Sequence, residues 1–499
     1  MLVLFQVMSV WGQEITARGK IVDQNGEPLI GVTVVSVGDN NGVISDVDGN
    51  FSLKCVRGAK LRFSFIGYSD VEQVTLGDFM NIVMKEDVQT LDEVVVVGYG
   101  TQKKRDITGA ITSVSDKAIS EKQPINVFQA LQGEAPGLQI SNNSGAPGDT
   151  GTMLIRGAST MGSGVNPLFI VDGVPVENIS YINPSDIESM EVLKDAASAA
   201  IYGSRSAAGV IIITTKQGEE GMPVRVSAKY NHSIKTLSNK LDQANAFDRM
   251  IFEKRTSAAT SLWKTSNDSL HPNQMADNDY QDLVTRTAHS DQFDISLSGS
   301  KNKIRYYTSL GFLNEKGIVI NSYYKRITSR TNVDYQATDR LKFMSRFNVA
   351  YTNKNNINTG KVLSQALKRP PQMALYFPDG SYVYNNGGQF NPIADAYERI
   401  NETTVYDMLL YQGFEYKLWK NIVWTGNVQG NYKVSRTDEL EPGRLVSSGV
   451  TSGSNKAVLA RKLAAETYIN WNQDFGSHNV NAMVGTSVED WYDENFTLE

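Results

Sequence analysis

The sequence has few residues of the kinds that form disulfides or conventional metal sites. It contains one cysteine, Cys55, and its four histidines lie far apart along the chain: His232, His271, His289 and His478. A single cysteine cannot form an internal disulfide, and this sparse set gives no zinc-site spacing. We therefore predict no metal ligand, no redox centre and no cofactor.

Long apolar runs and an excess of positive charge are also missing. Lys and Arg total 48 against 54 Asp and Glu, a net charge of −6, so a basic surface that holds nucleic acid is not expected. No run of about 18 apolar residues occurs, which excludes helical membrane spans. A transmembrane β-barrel is not excluded, because its signal is alternation along strands. The length of 499 residues predicts several domains.

The first 12 residues are typical of a partial signal peptide. Residues 1–11 are almost wholly apolar, and Gly12 precedes the polar pair Gln13-Glu14, so cleavage near Gly12 is expected. No basic residue precedes the apolar run, which indicates a start codon further upstream or missing sequence. The alternative is a buried first strand.

Residues 13–90 predict a small β-sandwich. Short alternating runs, such as residues 15–22 and 29–37, are separated by segments rich in Asp, Asn and Gly. The segment Asp46-Val47-Asp48-Gly49-Asn50 has two interpretations, the start of a calcium loop or a plain β-turn. The later glycine and the closing glutamate of a calcium loop are absent, which favours the turn.

Residues 91–106 form a separate segment around four consecutive valines, 94–97. Valine is a strong strand former, yet glycines and charges flank this run and no pairing partner is obvious within the chain. Such a strand can be completed by the sheet edge of another protein. The alternatives are the last strand of the sandwich or the first strand of the next domain.

Residues 107–220 predict a compact α+β domain. A short helix is expected at residues 127–133 and a helical turn at 186–193, capped by Ser185. Strands are expected at 153–156, 168–174 and 209–215. The glycines of residues 203–209 have the spacing of a phosphate loop, but Val210 stands where the lysine belongs, so nucleotide binding is not favoured.

Three motifs of this domain resemble the plug of TonB-dependent outer-membrane transporters: IRG at 155–157, VDG at 171–173 and EVLKDAASAAIYGSRSAAGVIIITTK at 191–216. The preceding residues resemble a carboxypeptidase-regulatory-like sandwich, and together with DEVVVVGYG they resemble the SusC/RagA family. By this resemblance the TonB box, which pairs with TonB, is Glu93, Val94, Val95, Val96, Val97 and Gly98. The plug-motif residues are Arg156, Gly157, Asp172, Gly173, Lys194, Asp195, Tyr202, Gly203, Arg205 and Gly209.

Residues 221–499 show the alternation of barrel strands, with apolar and polar residues on opposite faces. Residues 304–312, 341–352, 422–429 and 459–472 are examples. Short links near 301–303, 337–339, 419–421 and 476–478 alternate with longer segments at 236–290, 314–321, 353–402 and 435–457. About nine strands are expected, whereas the resemblance implies 22, so we predict the first part of a transmembrane antiparallel β-barrel and a chain that ends as an N-terminal fragment. The fold class is therefore mainly β: sandwich, α+β plug and incomplete barrel.

The resemblance implies TonB-dependent import of a nutrient across the outer membrane of a Gram-negative bacterium, with the N-terminal domain in the periplasm. The implied partners are TonB with its inner-membrane energising complex, a SusD-like lipoprotein, outer-membrane lipid and a glycan or peptide substrate. Five charged plug residues are candidates for ion pairs with each other or with the barrel wall, the alternative being solvated charge: Arg156, Asp172, Lys194, Asp195 and Arg205.

Two other classes of function compete with transport. A secreted enzyme would need a catalytic constellation, and no G-x-S-x-G signature is present, so no catalytic residue is predicted. A β-rich surface adhesin or sensor gives no role to the valine segment or to the plug-like block. Within transport, a siderophore or vitamin receptor is the alternative, and the front sandwich favours glycan or peptide uptake.

Overall fold

A computed structural model gives the fold of the chain. The predicted signal segment, residues 1–12, and two residues of the predicted TonB box, Glu93 and Gly98, lie outside the described residues. The structure describes residues 14–24, 26–37, 41–65, 68, 70–75, 79–85, 94–97, 100–103, 111–142, 144–157, 166–195, 199–256, 276–386, 389–476 and 478–499.

The chain divides into two compact units, residues 1–94 with 102–106 and residues 95–101 with 107–499. The described strands of the sandwich in the first unit are β1 (Glu14–Val22), β2 (Thr33–Ser36), β3 (Gly42–Ile44), β4 (Asn50–Val56), β5 (Lys60–Ser64), β6 (Val71–Val74) and β7 (Phe79–Val83).

Two sheets of the first unit share one apolar core. β1 pairs antiparallel with β4 and parallel with β7, and the second sheet has the order β3-β2-β5-β6. Every second residue of β4 is buried, as expected for a strand with one face in a core. Phe51 of β4 meets Phe63 of β5 edge-on, with ring centroids 5.3 Å apart. The predicted small β-sandwich is confirmed.

The acidic segment at 46–50 is a turn stabilised by its own side chain. The Asp46 carboxylate accepts the backbone N–H groups of Asp48 (3.0 Å) and Asn50 (2.8 Å), and Gly49 has a φ of 76°. Aspartate and glycine have these roles in ordinary β-turns. The observed geometry therefore agrees with the plain-turn interpretation.

The four valines form β8 (Val94–Val97), which pairs with β9 (Gly100–Lys103) in a two-stranded sheet. The expectation that the valines lack a partner within the chain is therefore wrong, because the polar segment that follows them supplies one. Among the described strands, β8 belongs neither to the sheets of the sandwich nor to those of the α+β block.

The α+β block contains one five-stranded sheet with the order β10-β15-β16-β13-β14. The short helix predicted at 127–133 and the strands predicted at 153–156 and 209–215 are confirmed within a residue or two. The elements are β10 (Ile111–Ser115), α1 (Asp116–Lys122), α2 (Val127–Leu131), β11 (Leu138–Ser141), β12 (Thr152–Ile155), β13 (Leu168–Val171), β14 (Val174–Val176), a 3-10 turn (Pro184–Asp186), β15 (Ile187–Leu193), a 3-10 segment (Ala200–Ser206) and β16 (Val210–Thr215).

Two expectations for this block need correction. The predicted helical turn at 186–193 is the strand β15, because its apolar residues are buried between β10 and β16, and this pairing outweighs local helix signals. The preceding 3-10 turn is capped by Asn183 rather than by Ser185. The run predicted as one strand at 168–174 is a hairpin of β13 and β14, interrupted at Asp172-Gly173.

The largest sheet has nine strands in the described part of the chain, each antiparallel to its neighbour, in the order β17-β18-β19-β20-β21-β24-β25-β26-β27. This agrees with the expected count of about nine. The strands are β17 (Arg225–Lys235), β18 (Ala288–Lys301), β19 (Ile304–Lys316), β20 (Tyr323–Gln336), β21 (Leu341–Asn355), β24 (Ile400–Trp419), β25 (Ile422–Glu441), β26 (Ser452–Phe475) and β27 (His478–Leu498). The hairpin β22 (Asn385–Asn386) with β23 (Gln389–Phe390) lies between β21 and β24.

The connections of this sheet alternate in length as predicted. Two to four residues join the strands at one end, at 302–303, 337–340, 420–421 and 476–477, and the other end carries 236–287, 317–322, 356–399 and 442–451. The loop predicted at 435–457 is shorter than expected. Its polar residues at both ends belong to strands, because β25 extends as far as Glu441 and β26 begins at Ser452. The long-connection end carries the helices Ala246–Thr256, Tyr280–Val284, Thr359–Lys368 and Pro392–Glu398, and a 3-10 turn at Gly443–Leu445.

The two faces of the sheet differ in chemistry. The inward face meets the α+β block and buries polar residues such as Arg330, Asn332 and Asn348. The outward face exposes apolar side chains, including Phe312 (44%) and Ile327 (49%). No helix in the described residues is long and apolar enough to span a membrane.

Candidate functional site

The turn between β13 and β14 fixes the position of a carboxylate at the surface of the plug. Asp172 and Gly173 are its two residues, with φ angles of 50° and 87°. A two-residue hairpin turn with positive φ at both positions favours aspartate followed by glycine. The Asp172 carboxylate accepts hydrogen bonds from the Thr215 backbone N–H (2.9 Å) and hydroxyl (2.7 Å). The VDG motif therefore sets this carboxylate against the end of β16.

An arginine of the nine-stranded wall meets the same carboxylate. Arg330 of β20 has a side chain only 1% exposed, and its Nη1 lies 2.9 Å from Asp172 Oδ2. Its Nε lies 4.0 Å from Oδ2 of a second carboxylate, Asp186. Removing one partner of a buried ion pair typically costs about 3–5 kcal/mol, because the other charge is left uncompensated. This pair therefore ties the plug firmly to β20.

Asp186 is also buried and makes its own contact with the wall. The Tyr307 hydroxyl of β19 donates a hydrogen bond of 2.8 Å to Asp186 Oδ1. Burial raises the pKa of the Asp186 carboxyl, and the positive charge of Arg330 opposes this shift. The raised pKa indicates that the neutral form of this carboxyl is favoured more than in water.

A third group of contacts joins the same part of the plug to β18. Asn183 Nδ2 donates to Asp294 Oδ1 at 2.5 Å, and the Ser185 hydroxyl donates to Asp294 Oδ2 at 2.8 Å. We call the contacts of Asp172, Asn183 and Asp186 with Asp294, Tyr307 and Arg330 the plug anchor. These six residues connect one side of the plug to β18, β19 and β20.

The structure brings two of the five candidate charged residues into ion pairs with the wall, Asp172 with Arg330 and Arg205 with Glu489. Arg205 Nη1 lies 3.1 Å from Glu489 Oε2 of β27, with side chains 41% and 21% exposed. The Arg205 pair is therefore much more solvated than the buried Asp172 pair.

The other three charged candidates are Arg156, Lys194 and Asp195. Burial and the nearby positive charge of Arg156 lower the pKa of Lys194, so these two cations do not stabilise each other. Asp195 has an electrostatic or hydrogen-bonding partner.

The glycine and tyrosine positions of the plug motifs are explained by backbone and packing. Gly157 and Gly203 have positive φ angles of 91° and 63°. Gly209 has a φ of 90°, and a Cβ there would lie 2.7 Å from Ile155 Cδ1. Tyr202 packs against the apolar cluster around Ile170. These roles are structural, and the function of the motif residues stays a prediction.

Sequence reasoning missed most of the plug anchor. Arg330, Tyr307, Asp294 and Asp186 were not identified as site residues, because each is an ordinary polar residue of a strand or turn until the fold pairs it. A signal was present in β20, where Arg326, Arg330 and Asp334 recur every four residues on one face of an otherwise mixed strand. Buried charges on the inward face of a strand require partners, either from the wall or from the block that it encloses.

The part of the chain that the structure describes contains no group of three or more His, Cys, Asp or Glu side chains arranged to hold a metal ion. The chemistry that the anchor supplies is charge pairing and hydrogen bonding. Such contacts hold two parts of a protein together.

Two family models match the chain. Residues 103–210 match the TonB-dependent receptor plug domain, and residues 17–96 match the CarboxypepD_reg-like domain.

Curated relatives match nearly the whole chain. A TonB-dependent receptor of Formosa agariphila is 34% identical, over 95% of this chain and 46% of the relative. The TonB-dependent receptor SusC of Bacteroides thetaiotaomicron is 31% identical, over 97% of this chain and 49% of the relative. The chain thus spans about half the length of the curated relatives it matches.

Among solved structures, the RagAB peptide importer in its open-open state has a similar fold. The TM-score is 0.71 at 22% identity, covering 81% of this chain and 50% of the importer chain. At this identity the likeness concerns the fold alone.

Proposed function

Because the chain belongs to the SusC/RagA type of TonB-dependent transporters, we propose that the protein imports a nutrient across the outer membrane by TonB-dependent active transport. The chain supplies the sandwich, the plug and the first strands of the barrel. The observation that carries the proposal is the plug anchor. A domain held against the inward face of a β wall by buried ion pairs is a closure, and it needs external work to move.

The outward face of the wall supports a location in the outer membrane. Strand pairing aligns an apolar row across successive strands: Tyr230, Phe293, Phe312, Ile327, Tyr351, Tyr406, Val434 and Leu459. The next outward row toward the long connections is polar: His232, Asp291, Asn314, Lys325 and Asn353. Apolar belts with aromatic rims face lipid in outer-membrane barrels. We place the outer boundary of the hydrocarbon layer between these rows.

Energy would enter through β8. Its valines can pair with TonB by strand addition, in which main-chain hydrogen bonds provide the affinity. In this proposal residues 91–106 are the TonB box and linker, residues 13–90 lie in the periplasm, and residues 107–220 are the plug. The short connections then face the periplasm and the long connections face outward.

The substrate is proposed to be an oligosaccharide or an oligopeptide, delivered with a SusD-like lipoprotein. The front sandwich favours uptake of a glycan or peptide over uptake of a siderophore or vitamin. The RagAB complex, whose fold is similar, is a peptide importer. The protein is not an enzyme in this proposal, because import requires binding and release without a chemical change of the substrate.

The test compares Val95→Pro with Val95→Ala in cells that carry the full-length protein. Proline removes a backbone donor and fixes φ, so strand addition should fail, whereas alanine keeps the donor. Labelled oligosaccharide and oligopeptide mixtures are measured as surface-bound and as internalised. We expect Val95→Pro cells and cells without TonB to bind the substrate and to lose its import, while Val95→Ala cells retain both.

Outer-membrane abundance is the control, because β8 also pairs with β9. Import by Val95→Pro cells at normal abundance would contradict the role of β8. Loss of Val95→Pro protein from the membrane would show that β8 is a structural strand.

A further inference from the structure

Two adjoining cavities lie between the plug and the wall on the side of β17 and β18. One has a volume of about 600 Å³ and the other of about 260 Å³. Both are lined by Asp116, Ser185 and Lys229. The two cavities are therefore neighbours, and we call them together the β17 passage.

The passage follows β17 over a considerable length. Asn231 lines the smaller cavity, and Arg225 lines the larger one. Six residues separate these positions, so at about 3.4 Å per residue the passage runs along roughly 20 Å of the strand. This is a large share of the height of a membrane-spanning wall.

The lining is predominantly polar and carries both signs of charge. Lys229 and Arg305 come from the wall, and Asp116, Glu188 and Glu219 come from the plug. A polar cavity of this size holds water, because its walls offer hydrogen-bonding partners. The passage therefore suits a hydrated solute that exchanges hydrogen bonds as it moves.

One ion pair includes Asp116, which lines both cavities. Lys216 directly follows β16, and Asp116 is the first residue of α1. Lys216 Nζ lies 2.9 Å from Asp116 Oδ1 and donates a hydrogen bond of 2.9 Å to the Ser185 carbonyl oxygen. The Asp116 and Lys216 side chains are 48% and 24% exposed. A partly solvated pair of this kind is worth about 1 kcal/mol or less, so it can open readily.

Chain order connects this site to a pull from the periplasm. β8 precedes β10 in the sequence, and α1 follows β10 directly. Since β10 is an edge strand of the plug sheet, tension from β8 reaches β10 and α1 before any other part of the plug. The plug anchor lies in later elements, at Asp172 and at 183–186.

From this arrangement we infer that the substrate moves through the β17 passage, which opens when α1 is drawn away and the Asp116–Lys216 pair separates. The inference rests on the proposed import function and assigns its route. The plug stays attached to β18, β19 and β20 through the anchor. The solute is polar, with hydroxyl or amide groups that can exchange partners with both cationic and anionic side chains.

The experiment narrows the passage reversibly in the full-length protein. Ser227 of β17 lines the passage, whereas its neighbour Ala228 lies on the opposite face of the strand. Ser227→Cys and Ala228→Cys, each in a background without any other cysteine, are labelled in cells with a bulky methanethiosulfonate reagent, which a reductant removes. Labelling is quantified by mass spectrometry, and import of labelled oligosaccharide and oligopeptide mixtures is measured before labelling, after labelling and after reduction.

We expect labelling of Ser227→Cys cells to lower their import rate at least about tenfold and reduction to restore it, with surface binding unchanged. In Ala228→Cys cells, labelling should change neither import nor surface binding. Import by fully labelled Ser227→Cys cells at the unlabelled rate would overturn the route. In that case TonB-dependent import by the unlabelled cells would still support the proposed function. Absence of TonB-dependent import in the unlabelled parent would overturn both.

Discussion

The plug meets β20 and β17 in opposite ways. Toward β20 the contact is buried and closely paired, with Arg330 and Asp172 only 1% and 5% exposed. Toward β17 the plug and the wall are separated by polar cavities of about 600 Å³ and about 260 Å³. Among the nine described strands, the plug is therefore attached unevenly.

In the proposed import, this difference would allow a single pull to open the structure without ejecting the plug. Buried pairs resist separation because each charge would lose its partner in a poorly hydrated place. A solvated pair such as Asp116–Lys216 exchanges its partner for water at little cost. We therefore expect α1 to move away from β17 while the anchor keeps the rest of the plug in place.

Arg330→Met should have the largest effect on the attachment of the plug to β20. The variant leaves the carboxylates of Asp172 and Asp186 buried without their cation and should weaken the closed state by about 3–5 kcal/mol. Cells carrying it should admit a large antibiotic that the parent excludes, as measured by minimum inhibitory concentration. The matched control is Arg340→Met on an exposed short connection, and equal susceptibility of the two variants would argue against the anchor.

A steric clash provides a second way to weaken the contact between the plug and β20. Gly148 and Gly145 both have positive φ, 65° and 60°, but a Cβ at Gly148 would lie 2.3 Å from the Tyr324 ring of β20, whereas one at Gly145 meets nothing within 4 Å. Gly148→Ala should therefore destabilise the plug by about 1–3 kcal/mol more than Gly145→Ala. Limited proteolysis of purified protein measures the difference, and identical cleavage rates would refute it.

The pH dependence of stability should report on the Asp186 carboxyl of the anchor. Since burial raises the pKa of Asp186, the folded state holds its proton more tightly than the unfolded state. This contribution is complete below the ordinary carboxyl pKa of 3.8 and is lost as pH rises through the higher folded value. Asp186→Asn should flatten this part of a plot of melting temperature against pH. An unchanged slope would mean that Asp186 is ionised in the folded protein.

The smallest effect is expected at the solvated pair on β27. Glu489→Gln removes the charge partner of Arg205, whose side chain is 41% exposed, and should change plug stability by at most about 1 kcal/mol. The same antibiotic assay should therefore give values close to the parent. A loss as large as that of Arg330→Met would mean that the plug is held evenly around the wall.

Much of the fold could be predicted because its signals are local. Alternation such as that of residues 341–352 identifies a strand with two different faces, and the glycine-rich motifs identify the plug by resemblance. The helical turn expected at 186–193 was wrong, since the pairing of β15 with β10 and β16 is a long-range property. The internal pairing of the valines with β9 was missed because Gly100-Thr101-Gln102-Lys103 has no apolar alternation.

The candidate site was less accessible from the sequence. Asp172 and Arg205 were identified as possible partners of the wall, but their partners Arg330 and Glu489 lie 158 and 284 residues away. The β17 passage has no motif, since it is a space between α1 and strands that only the fold brings together.

A reversible tether between the plug and β19 tests the central claim most directly. A Cβ at Gly311 would lie 2.3 Å from Asn183 Nδ2, so side chains at these two positions meet where the plug contacts β19. Asn183→Cys with Gly311→Cys, in a background without any other cysteine, is oxidised in cells and compared with its reduced form. The account predicts import within about twofold of the reduced form, because the plug remains attached beside the anchor while the β17 passage opens. Import that stops on oxidation and returns on reduction would contradict it and would show that the plug must leave this side of the wall.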